Sequence, residues 1–180
     1  MRMTVVNATQ PGSEPLSMDE LRSHCRIDGT TEDDVLLSCL LAARKNLDGP
    51  DGWLGRALIT QTIDLYLDCF TWNTIYLPLP PLQSVTHVKY YDTGGTLQTF
   101  SSANYTVDTS SEPGRIVLGE SASWPSTDDI PNAVNIRYVA GYGTREDIPE
   151  PIRMGLKLMV GGMYSFRGSM GAGIALTDNP

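Results

Sequence analysis

Histidine and cysteine are scarce in this chain, and basic residues are outnumbered. The 3 cysteines, Cys25, Cys39 and Cys69, form an odd set with no short repeat spacing, so no disulfide framework is expected and a reducing compartment fits. The 2 histidines, His24 and His87, stand alone. His24 precedes Cys25, but helix neighbours point in different directions and no second ligand pair follows at zinc spacing. With 13 Lys and Arg against 21 Asp and Glu, the formal net charge is −8. Such a balance repels phosphates unless cations cluster, and here they are scattered along the chain. No apolar run reaches the roughly 20 residues that span a bilayer, and no basic stretch leads into an apolar one at the start. Neither a membrane span nor a secretory leader is therefore expected. No HExxH and no GxSxG occurs.

What is present suits a folded chain of one ordinary domain. Hydrophobic residues make up 41% of 180, enough for a core and against global disorder. Residues 1–15, with Pro11, Gly12 and Pro15, read as a flexible N-terminal arm. Ser17 and Glu20 form a capping-box pair that predicts a short helix over Met18–Arg26. "TTEDDVLLSCLLAARKNL" predicts the longest helix, with Thr31 as N-cap and acids at the positive end of its dipole. Its stripe is Leu36, Leu40, Ala43 and Leu47, widened by Leu37 and Leu41. "DGPDG" ends it, and "WLGRAL" reads as a helical turn or two beyond.

From Ile59 the period changes to two. "TIDLYLD", "NTIYLP", "SVTHVKYYD", "TLQTF", "YTVD", "GRIVL" and "AVNIRYVAGY" predict strands, with "DTGG" as a hairpin turn. Closely spaced strands of this kind indicate an antiparallel sheet or small barrel. A last helix begins near Pro149, with Asp147 as its cap and Ile152, Leu156, Met159 and Met163 as its stripe. Gly155, Gly161 and Gly162 weaken it and offer close approach to another backbone. The expected fold class is α+β: a small helical bundle made by the N- and C-terminal segments, with an inserted antiparallel β-rich subdomain. The expected boundaries are an arm at 1–15, helical part 16–58, β insertion 59–143, closing helix 144–168 and flexible tail 169–180.

Few constellations suggest chemistry. Asp64 and Asp68 share a strand face, as a carboxylate pair or, more simply, as an exposed polar face. "AGYG" (140–143) lacks the lysine and Ser/Thr of a phosphate loop, and Glu146, Asp147 and Glu150 follow it. It reads as a structural turn. "PLPPL" reads as a rigid corner between strands rather than an SH3-type ligand. Trp53, Trp72 and Trp124 read as packing groups. No catalytic, cofactor-binding or metal-binding residue is assigned, and no enzymatic activity or cofactor is expected.

The order of the segments is more informative. "GRALITQT" (55–62), "LPLPPLQSV" (77–85), "PGRI" (113–116) and "AGYG…IPEPIR" (140–153), in this order from about Leu16 to Tyr164, resemble the tailed-bacteriophage head–tail connector family, the head-completion adaptors, in a long form with a β insertion. Two features depart from that pattern: "DGPDGW" interrupts the long-helix region, and "GGMYSFRGSMGAG" replaces a charged, aromatic-rich helix ending.

The resemblance implies a structural virion protein at the head–tail junction, present in the host cytoplasm during assembly. It implies a homo-oligomeric ring, usually a dodecamer, beneath the portal protein. The ring extends the channel through which DNA passes without sequence-specific binding. It also offers a platform to a tail-side stopper or tail-completion protein. Within that reading, Leu36, Leu40, Leu47, Ile152, Leu156 and Met159 are expected in the helix core, and Met163, Tyr164, Phe166, Arg167 and Met170 are expected to face the portal. The competing reading is a small β-rich hydrolase or carbohydrate-binding module built on Asp64, Asp68 and exposed Tyr66, Tyr90 and Tyr91. A DNA mimic carries less weight, because "TEDD" and "REDIPE" are thin acid runs.

Overall fold

The computed structural model describes residues 3–9, 12–70 and 72–166. The fold is α+β, and the chain divides into two compact units, each discontinuous in sequence. One holds the residues up to Pro15 together with Lys45–Ile148; the other holds Leu16–Arg44 and the residues from Pro149 onward. These limits differ from the expected ones at 58/59 and 143/144. Residues 45–58 are tied to the start of the sheet: the Leu58 N–H and the Gln61 amide both donate to Asp48 Oδ1, at 3.0 and 3.1 Å.

The helical unit begins with α1 (Met18–Cys25). Ser17 accepts from the Glu20 N–H, and the Glu20 carboxylate accepts from the Ser17 N–H at 3.0 Å, so the capping box is complete. Arg26 ends the helix in the left-handed region. The Arg22 guanidinium donates twice to Asp33, at 2.8 and 3.0 Å, joining α1 to α2 (Asp33–Leu47). Glu20 also accepts from Arg153 and lies 3.2 Å from Lys157 Nζ, joining α1 to α3 (Glu150–Ser165). One carboxylate thus closes a cap and pins two helices.

Of the residues expected in the helix core, Leu36, Leu40 and Leu156 are fully buried, while Leu47, Ile152 and Met159 are half-buried. Leu21, Ala43 and Val160 are also fully buried. Leu37 and Leu41 do not widen the stripe. They are 39% and 40% exposed, because each stands more than a quarter-turn around the helix from Leu36 or Leu40. Asp147 does not cap α3. The N-cap is Pro149, and Asp147 instead closes a short 3-10 turn, accepting from the Thr144 N–H and hydroxyl at 2.8 and 2.7 Å. Gly161 lies against the His24 imidazole rather than a backbone, and Gly155 and Gly162 face open space.

The β-rich unit contains β1 (Met3–Thr9), β2 (Gln61–Leu67), β8 (Val134–Ala140), β4 (Leu82–Tyr91) and β5 (Leu97–Phe100), hydrogen-bonded in that order as one antiparallel sheet. A second antiparallel sheet runs β3 (Thr74–Tyr76), β7 (Arg115–Leu118), β6 (Tyr105–Asp108). Residues 3–9 are therefore an edge strand, not a flexible arm. Their backbone pairs with β2, a partner about 60 residues away that no local pattern reveals.

Alternation is strict on β8, where Val134, Ile136, Tyr138 and Ala140 are buried. They join Ile63, Leu65, Leu67, Val88, Ile75 and Ile116 in one core cluster drawn from both sheets. Phe70 stacks on Trp124 at 4.4 Å with rings nearly parallel, closing that cluster at one side. "PLPPL" (78–82) is a buried corner: Leu79 and Leu82 are inside, and the Pro78 carbonyl accepts from the Tyr138 hydroxyl at 2.8 Å.

"WLGRAL" does not resume a helix. The N–H groups of Trp53 and Leu54 donate back to the Asn46 and Leu47 carbonyls, at 2.8 and 3.2 Å, satisfying the end of α2. The chain then folds as a tight loop in which Gly49 donates to Arg56 and Gly55 to Gly52, both at 3.0 Å. A Cβ at Gly52 would sit 2.5 Å from the Leu47 and Asp48 backbone.

Leu40→Asp places an unpaired charge at a fully buried site, at a cost of several kcal/mol, and should abolish cooperative unfolding of the helical unit by circular dichroism. Glu20 is sensitive to pH instead. Burial raises its pKa, but the Ser17 N–H, Lys157, the Ser17 hydroxyl and the Arg153 charge outweigh burial and hold it at about 2, below its ordinary 4.5. A depressed carboxylate stabilises above its unfolded pKa and loses that effect as pH falls toward the folded one. Glu20→Gln should therefore lower stability by about 1–2 kcal/mol at pH 7, after discounting for solvent screening. Urea titrations should show the gap closing between pH 4.5 and about 2.

Candidate functional site

The outer face of the five-stranded sheet gathers the polar side chains that alternation turns away from the core. Asp64 on β2 lies directly across from Arg137 on β8, which in turn faces His87 on β4. Arg137 Nε and Nη2 donate to the two Asp64 oxygens, at 2.8 and 2.7 Å, a bidentate pair. Asp64 is 5% exposed. Arg137, against the effect of burial and with help from the Asn135 amide and His87, holds the Asp64 carboxyl below the usual carboxylate range. His87 Nε2 lies 3.0 Å from Asn135 Oδ1.

Asp68 follows the end of β2, and its Oδ1 accepts from the Asn132 N–H at 3.1 Å. The two aspartates are thus bound to different partners. Asp64 is a locked, ionised carboxylate rather than a proton carrier. Among the described residues no group of three or more His, Cys, Asp or Glu is placed to hold a metal ion.

Beside the Asp64–Arg137 pair the same face carries a groove of about 280 Å³. Tyr66, His87, Lys89, Tyr91, Leu97 and Asn135 line it, with Arg137 at its border and no carboxylate in its wall. The volume falls just under the range of small-molecule pockets and suits one large side chain. Of the three tyrosines expected to be exposed, Tyr91 is exposed, Tyr66 is half-buried in the groove, and Tyr90 turns inward against the core cluster.

"AGYG" uses its backbone internally. The Gly141 N–H donates to the Pro81 carbonyl at 2.9 Å, the Tyr142 N–H to Leu58 at 3.3 Å, and the Gly143 carbonyl accepts from the Thr60 N–H at 3.0 Å. The Gln83 amide donates to the Gly141 carbonyl at 2.8 Å. Gly141, at φ +126, lies so close to Ile59 that a Cβ would meet its carbonyl oxygen at 2.5 Å. These N–H groups point at protein carbonyls, leaving no cradle for a phosphate.

In the helical unit, a depression of about 340 Å³ lies at the end of α3 beside His24 and Arg26. Tyr164 and Phe166 line it, and Phe166 is 72% exposed. Met163 is half-buried; Arg167 and Met170 lie outside the described residues. Met154 and Leu158 are exposed about two turns and one turn before Gly162, making an apolar row along α3 toward Phe166.

These features define an α+β chain with a grooved polar sheet face and an exposed apolar row on its last helix. No protein-family model matches the sequence, and no curated protein matches it. Solved structures do. A chain in the neck of an empty GTA particle, computed with C6 symmetry, superposes with TM-score 0.75 at 24% identity, covering 96% of this chain and 89% of that one. A chain in the virion of a native gene transfer agent (GTA) particle gives TM-score 0.74 at 24% identity, covering 95% and 89%. A chain in the neck of a native GTA particle, computed with C12 symmetry, gives 0.65 at 20%, covering 97% and 88%. At these identities the likeness is one of fold.

Arg137 carries no local signal that marks it as the partner of Asp64. Period-two patterning puts Arg137 on the face of Asp64, but the pairing of β2 with β8 across 73 residues decides that they meet. Asp64→Asn should lower stability by about 1–2 kcal/mol at neutral pH, since a hydrogen-bonded charge pair is lost while Arg137 remains partly solvated. The carboxyl is depressed, so its contribution exists above the ordinary carboxylate range and fades below it. Chemical denaturation should show the largest difference at pH 7 and a shrinking one in acid.

Proposed function

We propose that this chain is a structural neck component of a tailed-phage-like particle: a head–tail adaptor that forms a ring beneath the portal, prolongs the DNA channel and seats a tail-side protein. The observation that carries this reading is the superposition of 96% of the chain on a particle-neck chain at TM-score 0.75. The related necks were computed with C6 and C12 symmetry, which favours a cyclic arrangement with twelve copies. The net charge of −8 suits a conduit, because an acidic wall lets DNA slide instead of binding it. The end of α3, with Met163, Tyr164 and Phe166, is the surface assigned to the portal, and the exposed Met154 and Leu158 extend the apolar row behind it. The outer parts of the β-rich unit face outward or tailward.

The hydrolase or sugar-binding reading loses its motive with Asp64 locked to Arg137 and Tyr90 turned inward. Necks purified from particles encoded with this chain should contain it in multiple copies by mass spectrometry. Mixing the chain with its portal should give a complex in sedimentation and electron micrographs. Tailed, infectious or gene-transferring particles made without the chain, together with no portal complex, defeat the proposal.

A further inference from the structure

Trp53 is 85% exposed, the most exposed large apolar side chain among the described residues. Its loop is not loose: the hydrogen bonds to Asn46, Leu47, Gly49 and Arg56 fix the backbone on both sides. A large aromatic ring held in water on a fixed backbone has the marks of an interface anchor, since little ordering entropy remains to be lost when it binds. Asp51, also exposed, stands two residues before it.

The groove beside Asp64 has the complementary character. Tyr66, Tyr91 and Leu97 supply apolar wall, and its 280 Å³ suits one large ring. Lys89 has no ion pair among the described residues, the Arg137 charge at the wall is matched by Asp64, and no acid lines the groove. In a chain of charge −8 this is a local positive site.

Projection and groove lie at opposite ends of the strands. The Trp53 loop is bonded through Asp48 to Gln61, which pairs with Ala140. The groove lies at the other end, where Leu67 pairs with Val134 and Tyr91 pairs with Leu97. The groove's walls run from the Asp64–Arg137 register to the Leu67–Val134 register, three to six residues along β2 from Gln61, and Trp53 is not among the residues that line it, so within one copy the ring leaves its own groove unfilled. Two different patches that fit each other make a head-to-tail contact, the kind that closes into rings.

We infer that Trp53, with Asp51, seats in the Tyr66–Lys89–Tyr91–Leu97 groove of an adjacent copy of this chain. This contact rests on the ring reading and gives it a specific site. Its aromatic part supplies affinity, and the Asp51–Lys89 attraction sets orientation.

The experiment replaces Trp53 with the photo-crosslinker benzoylphenylalanine in the full chain. Nitrogen-14 and nitrogen-15 copies are mixed, and crosslinks are read by mass spectrometry in purified necks and in the concentrated pure protein. The expected product joins position 53 of one isotope to a peptide holding Tyr91–Leu97 or Asn132–Arg137 of the other. Trp53→Ala should weaken copy-to-copy association on the order of 30-fold with an unchanged melting curve. Lys89→Glu and Asp51→Lys should each weaken it about threefold, and together restore it. Crosslinks from 53 confined to its own copy or to another protein overturn the contact, as does Trp53→Ala protein entering necks at full occupancy. Absence of the wild-type chain from necks overturns the neck reading instead, and the pure-protein crosslink then decides this contact separately.

Discussion

Everything in the five-stranded sheet is registered against strand β8. It pairs along its whole length with β2 on one side and with β4 on the other. Its inward residues Val134, Ile136, Tyr138 and Ala140 are inaccessible, so a slip by one position would bury Asn135 and Arg137 and expose four core side chains. The outward residues then have a fixed address. Arg137 meets Asp64 because the register allows nothing else, and the groove beside them inherits its walls from the same alignment. The surface chemistry is a by-product of how the core is packed.

Legibility in the sequence followed the range of the forces involved. Local signals were readable: the Ser17–Glu20 box, the alternation in "VNIRYVA", the hairpin at "DTGG", where Asp92 accepts from Gly94, Thr96 and Gln98. What failed depended on distant partners. Strand β1 carries the β-branched Thr4, Val5, Val6 and Thr9, but the Pro11, Gly12 and Pro15 that follow read as an arm, and its pairing with distant β2 is what holds it as a strand. "WLGRAL" has helical composition, yet the carbonyls left free at the end of α2 capture its N–H groups. Asp147 lies where a cap is expected, but its carboxylate is taken by the Thr144 N–H and hydroxyl. The aspartate pair was legible as a shared polar face; that one member is neutralised by an arginine on another strand was not.

The same division applies to surface and interior. Burial could be read from periodicity, whereas exposure that means something could not. Trp53 has the composition of a core residue and the position of a projection. Leu158, apolar but outside the stripe of Ile152, Leu156, Met159 and Met163, likewise stands exposed on α3. Exposed apolar groups of this size on an otherwise acidic chain point to a life in company.

The interleaving of the two units along the chain has a consequence for how the molecule is made. Glu20 and Arg153 are 133 residues apart, so the first two helices leave the ribosome long before the helix that completes them exists. At roughly 5–20 residues per second that interval lasts on the order of 7–27 seconds. During it Glu20 is without Arg153 and Lys157, while the sheet residues are being translated. The helical unit can therefore close only when the last helix has been made, and that helix acts as the closing bolt of translation.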